Sequence, residues 1–203
     1  MDYPLYAEVN GKRYPINTDF RVAIECNRIA EDNTIKNTER ALGIICTLFG
    51  EDAIDDTENY EKLLEIAMRY LRCGQDDDGS SEKPDMDFIE DYAYIKTSFR
   101  SDYGIKLDDE HMHWWEFMDL MNGLSNSDVG NCCILNRIRN LRNYDTRDIK
   151  DQKEKDKIEK AKKQVALKRN KKKVNMTEKQ RQSAVEIYTA LGFGKEWYLW
   201  MVK

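Results

Sequence analysis

The sequence predicts a mainly α fold: a helical domain with an N-terminal β-hairpin, followed by a long charged helix and a C-terminal helix. Three observations predict it. Apolar residues recur at three- and four-residue steps through most of residues 1–143. An Asn10-Gly11 pair sits between two short alternating runs. Over residues 145–173 the large aliphatics almost vanish while charged residues persist. The chain accordingly divides into an acidic helical domain with its hairpin over 1–143, a basic charged helix or arm over 144–175, and a C-terminal helix with an aromatic tail over 176–203.

Each element has its own signal. Tyr6–Val9 and Lys12–Ile16 flank Asn10-Gly11, which supplies the two positive-φ residues of a type I′ turn. Pro15 confines its strand to an edge or a strand end. Thr18 reads as the N-cap of a first helix with the stripe Phe20, Ala23, Ile24, Cys26 and Ile29. A second helix runs from about Thr38 to Phe49 and stops at Gly50. A third runs from about Thr57 to Cys73, carries Tyr60, Leu63, Leu64, Ala67, Met68 and Leu71, and ends before Gly74. Residues 75–84 are a polar loop.

Phe88, Tyr92, Ile95, Phe99 and Tyr103 then step by four, three, four and four, one face of a helix closed by Gly104. Asp108 or Asp109 can cap the next helix, which carries His113, Trp114, Trp115, Phe117, Met118, Leu120, Met121 and Leu124. A segment so apolar must be substantially buried. Another helix from about Ser127 holds Val129, Cys132, Ile134, Leu135, Ile138 and Leu141. Residues 145–173 read as a long solvated helix. Thr177-Glu178-Lys179-Gln180 fits a capping box that opens the C-terminal helix.

Composition narrows the function classes. The chain has 203 residues, 40% hydrophobic and 35% charged, enough apolar matter for a core and a charged share well above the usual quarter. No run of about 18 apolar residues is present, so no membrane span is expected. The opening Met1-Asp2-Tyr3-Pro4 lacks the basic start and apolar stretch of a signal peptide. The five cysteines are an odd count, expected as reduced thiols. A net charge of −5 hides a polarity: residues 1–136 carry 13 Lys/Arg against 29 Asp/Glu, and residues 137–174 carry 16 against 6. A basic arm after an acidic body can bind an acidic partner, bind nucleic acid or fold against that body. Interleaved acids, and Tyr144 as the only aromatic of the arm over 137–173, argue against nucleic acid.

The reactive residues do not assemble into a site. His111-x-His113 and Cys132-Cys133 lack the paired spacing of a zinc site. Asp76-Asp77-Asp78-Gly79 resembles the middle of a calcium loop, but its first position would be Gly74 and its twelfth Asp85. There is no phosphate-cradling glycine loop and no G-x-S-x-G. The expectation is a non-enzymatic protein with no catalytic residues, no cofactor and no metal. Trp114, Trp115, Trp197 and Trp200 are aromatic anchors. Trp114 and Trp115 point to different faces of a helix, so one can leave the core. The terminal Trp197–Val202 run either folds back or stays exposed as a partner site.

Asp91-Tyr92-Ala93-Tyr94-Ile95, Ser98-Phe99 and Asp102-Tyr103-Gly104-Ile105-x-Leu107 precede His113-Trp114-Trp115-Glu116-Phe117-Met118-x-Leu120-x-x-Gly123-Leu124. This stretch resembles the phage "gene product fifteen" family of tail-assembly-chaperone-like proteins. The hairpin followed by Ile16–Arg21, and the apolar-to-basic shift after Ile138, resemble it too. The likeness covers roughly residues 1–175. It implies a tail assembly chaperone of long, non-contractile-tailed phages or prophages. Such a protein acts in the host bacterial cytoplasm during virion morphogenesis. It would bind the tape measure protein, keep it soluble, help recruit tail tube protein, and leave before the tail matures. The resemblance carries over no catalytic residues. The interaction role falls on the helix bearing Trp114, Trp115 and Met118, with Trp197 and Trp200 as the other partner-binding candidates. The rival readings are a structural tail component retained in the virion and a nucleic-acid-binding protein using the basic arm.

Overall fold

Asn10 and Gly11 take φ of 52° and 78°, and between them the chain reverses. Strands β1 (Tyr6–Val9) and β2 (Lys12–Pro15) pair antiparallel in the register Tyr6↔Pro15 to Val9↔Lys12. Period-two alternation puts Ala7, Val9 and Tyr14 on the buried face. The computed structural model describes residues 3–76, 84–126 and 132–168. Over these, a two-stranded sheet leans on seven α-helices. It is fastened by Asn17 N–H to the Leu48 carbonyl and by Lys12 and Tyr14 to Asp56.

Helix α1 (Phe20–Glu31) buries Phe20, Ala23 and Cys26. Its cap is Asp19, whose carboxylate accepts from Arg21 N–H, rather than Thr18. Thr18 instead gives its carbonyl to Trp114 N–H at 2.8 Å. Helix α2 (Asn37–Phe49) buries Leu42, Ile44, Ile45, Leu48 and Phe49 and stops at Gly50, φ 86°. The expected helix from Thr57 begins as a 3₁₀ turn over Thr57–Asn59 and becomes α3 over Tyr60–Leu71. It ends two residues short of Cys73, because Cys73 and Gly74 both adopt positive φ, 54° and 80°.

Helix α4 (Tyr92–Tyr103) starts four residues after Phe88. Asp87 accepts from the N–H groups of Ile89 and Glu90 and folds Phe88 into the turn before the helix. Gly104, φ 73°, closes α4 with Ile105 N–H bonded back to the Phe99 carbonyl. Helix α5 (Trp114–Asn122) is capped by His113, not by Asp108 or Asp109. Helix α6 (Ile134–Asn143) is capped by the Cys133 sulfur, so Cys132 precedes the helix; Ser127 and Val129 lie outside the described residues. Ser98 Oγ, buried in α4, accepts from Leu135 N–H and joins α4 to α6.

The charged stretch forms α7 over Gln152–Val165, capped by Asp151. It is shorter than the helix expected over 145–173 because Asp145 instead makes a turn around Arg147. The part from 169 onward, with the capping box and C-terminal helix, falls outside the described residues. Helix α7 folds back: Arg142 donates to the Val165 carbonyl, Thr146 to Glu159, and Lys162 to the Tyr144 carbonyl. Arg142 also pairs bidentately with Asp91 at 2.7 Å. The core runs from the inner face of the hairpin through α1, α2 and α3 to α4 and α5.

Candidate functional site

The start of α5 is built around His113. Its Nδ1 accepts from Trp115 N–H at 3.0 Å while Nε2 faces the Pro4 carbonyl at 3.1 Å. That pair of partners requires the neutral tautomer protonated at Nε2. Tyr3 stacks on the imidazole at 4.8 Å, and its hydroxyl donates to Asp119. This hydrogen bond, with burial and the charges of Asp119 and Glu116, raises the Tyr3 phenol pKa.

Successive residues on a helix diverge by about 100°, so Trp114 and Trp115 take different surroundings. Trp114 is 1% exposed and donates through Nε1 to the Leu71 carbonyl at 3.0 Å. Its ring stacks on Phe117 at 5.7 Å and meets Phe88 edge-on at 5.6 Å. Phe117 in turn lies between Phe20 at 4.7 Å and Phe99 at 5.2 Å. Trp114 is therefore the centre of an aromatic core, and the expectation that it touches a partner is corrected: a ring so enclosed offers no surface.

Trp115 is half-buried. It is held from below, with Nε1 donating to the Tyr70 carbonyl at 2.9 Å and the ring 6.0 Å from that of Tyr70. One edge passes over Gly74, where a Cβ would lie 3.0 Å from Trp115 Cη2. Tyr3 and His113 flank it edge-on at 6.5 and 6.4 Å. Half-buried Met118 follows one turn later on the same helical face. The result is a pre-set aromatic and thioether surface whose indole N–H is already bonded. Trp197 and Trp200 lie outside the described residues. The supporting residues Tyr3, Tyr70 and Gly74 were missed from sequence. Gly74 carries a signal only as a helix stop, and Tyr3 has none.

The remaining chemistry is dispersed. His111 Nδ1 sits 3.0 Å from Asp19 Oδ2, away from the cysteines, and among the described residues no three His, Cys, Asp or Glu converge to hold a metal. The Cys26 thiol is pushed up to about 12 by burial. An open groove of about 610 Å3 beside α4 and α6 is lined by Ser101, Asp102, Tyr103, Ser125 and Arg137, among others. Asp102 there accepts from Ser125 through both N–H and hydroxyl. Burial works against that carboxylate's charge, but these bonds and one from Ser101 outweigh it and lower its pKa.

Comparison with curated proteins and with solved structures gives no match to this chain. Comparison with family models does: the model described as Bacteriophage Gp15 protein matches residues 1–167. That span takes in the hairpin, the Trp114–Trp115 helix and the folded-back α7, so the chain belongs to the bacteriophage Gp15 family.

Proposed function

We propose that this phage protein is a tail assembly chaperone. It binds the tape measure protein in the host cytoplasm, keeps it soluble, helps recruit tail tube subunits, and departs before the tail matures. The observation that carries the reading is the half-buried Trp115–Met118 face of α5, positioned by a rigid aromatic core beneath it. A tape measure is a long helix with an apolar stripe. Capture of such a helix uses flat aromatic area and adaptable methionine, which re-pack around many partners. Membership of a phage family is consistent with it.

Co-expression tests the reading. The wild-type chain should keep the tape measure protein in the soluble fraction. Met118→Glu, which places a charge on the capture face, should lose that effect while its own melting temperature falls by no more than a few degrees. A tape measure protein equally soluble with the variant, or without any chaperone, sinks the proposal. Mass spectrometry of purified virions should find no copy of the chain; stoichiometric copies would make it a structural tail component.

A further inference from the structure

Helix α7 has two unlike faces. Lys155, Ile158, Glu159, Ala161, Lys162 and Val165 are the half-buried residues that turn toward the body. Lys153, Lys157, Lys160 and Lys163 step by four, three and three along the opposite, exposed face. They span about 15 Å at 1.5 Å per residue. Glu154 and Asp156 are the exposed acids between Lys153 and Lys157, and Gln152 already donates to Asp156. None of the four lysines has an ion-pair partner among the described residues, although Lys12, Lys96, Arg139, Arg142 and Arg147 all do.

A complementary surface lies elsewhere on the same chain. Glu51–Glu61 holds six acids and no Lys or Arg. Asp56 is paired with Lys12, whereas Glu51, Asp52, Asp55, Glu58 and Glu61 are exposed and have no ion pair among the described residues. Their negative field is felt locally. Burial first, then Asp55 and Asp56, raise the Tyr60 phenol pKa, and burial first, then Glu51, raises the Cys46 thiol pKa. This acidic edge connects α2 to α3 beside the hairpin, while the lysine face points away from the body on α7. Among the described residues no ion pair joins the two within one molecule.

We infer that the lysine face of α7 docks on the Glu51–Glu61 edge of a second copy of this chain. Each molecule offers one of each surface, so two copies can pair them reciprocally across a two-fold axis or extend head-to-tail. Exposed pairs of this kind set encounter and register, and salt screens them. The net negative charge of residues 1–136 repels a nucleic acid but leaves the acidic edge free to receive a basic helix. The inference stands apart from the tape measure reading, which uses α5.

Sedimentation of the full chain tests it. At about 20 mM salt the chain should form concentration-dependent oligomers, and at about 300 mM the apparent Kd should rise at least about tenfold. A variant with Lys153, Lys157, Lys160 and Lys163 all changed to Glu should stay monomeric at low salt. So should a variant with Glu51, Asp52, Asp55 and Glu58 all changed to Lys. An equimolar mixture of the two restores complementarity at every junction and should reassociate. Should either reversal fail to fold by circular dichroism, Lys153→Gln with Lys160→Gln replaces it and should weaken association severalfold. A wild-type chain monomeric at low salt overturns the inference, as does a mixture that fails to reassociate. A monomer that binds duplex DNA through these same lysines assigns the face to nucleic acid and overturns it too.

Discussion

The Arg142–Asp91 pair gives the sharpest stability prediction. Asp91 is 1% exposed and the Arg142 side chain 10%. The guanidinium makes two bonds to the carboxylate, one to the Val165 carbonyl and one to the Asp85 carbonyl. Asp91→Ala leaves a buried cation with carbonyls alone and should destabilise by about 3 kcal/mol. Arg142→Met leaves a buried carboxylate and also strips two carbonyls of their donor, so it should lose about 4 kcal/mol. Each single change includes the penalty of the partner left unpaired, so the two do not add. The double variant should lose about 4–5 kcal/mol, a coupling of about 2–3 kcal/mol. Urea unfolding of all four proteins at neutral pH measures the cycle. Amide exchange should show the last turn of α7 loosened by Arg142→Met more than by Asp91→Ala, since only the former removes the bond to Val165. A coupling below about 0.5 kcal/mol would mean the buried pair does not hold these segments together.

Other outcomes follow from single contacts. Tyr70 is buried and its hydroxyl has no hydrogen-bond partner among the described residues, so Tyr70→Phe should leave the urea midpoint unchanged or raise stability by up to about 1 kcal/mol; a loss of about 1 kcal/mol or more would mean the hydroxyl is bonded. Gly74→Ala meets both a φ of +80° and Trp115 Cη2, and should cost about 1–2 kcal/mol in a thermal or urea melt. Bonds from Tyr14, Lys12 and Asn59 hold the Asp56 carboxyl down at about 2 against the ordinary aspartate value of 3.8. Its folded pKa is depressed, so its contribution is whole above pH 3.8 and is lost as pH falls toward 2. The stability gap between wild type and Asp56→Asn should therefore be flat at neutral pH and shrink across that window; a gap that widens on acidification contradicts the assignment.

The sequence announces those elements whose signals are local. Asn10-Gly11 places the hairpin because two positive-φ residues in a row allow little else. The Ile95–Phe99 stripe and Gly104 place α4 because a repeat of 3.6 and a left-handed stop are properties of one segment. The misplaced helix starts share a cause. Asp108 and Asp109 are good caps by type, yet α5 begins at His113, because bonds to Pro4 and contacts with Tyr3 select that residue. Cys133 caps α6 although cysteine is a poor cap by propensity, because Ser98 arrives from α4 to bond Leu135. Trp114 and Trp115 are indistinguishable by composition. Their fates were set by the carbonyls of Leu71 and Tyr70, more than 40 residues away, and pattern alone cannot see those.

One short bridge has a consequence for how the chain is made. Asp19 and His113 form an isolated antiparallel bridge, with Phe20 N–H on the Met112 carbonyl and Trp114 N–H on the Thr18 carbonyl. The first turns of α1 and α5 are thereby anchored to each other across 94 residues of sequence. On the ribosome α1 emerges early but waits for its anchor, a delay of about 5–20 s at elongation rates of about 5–20 residues per second. During that interval Phe20 lacks Phe117 to stack against, so the nascent N-terminal third is the stage most exposed to mispairing and proteolysis.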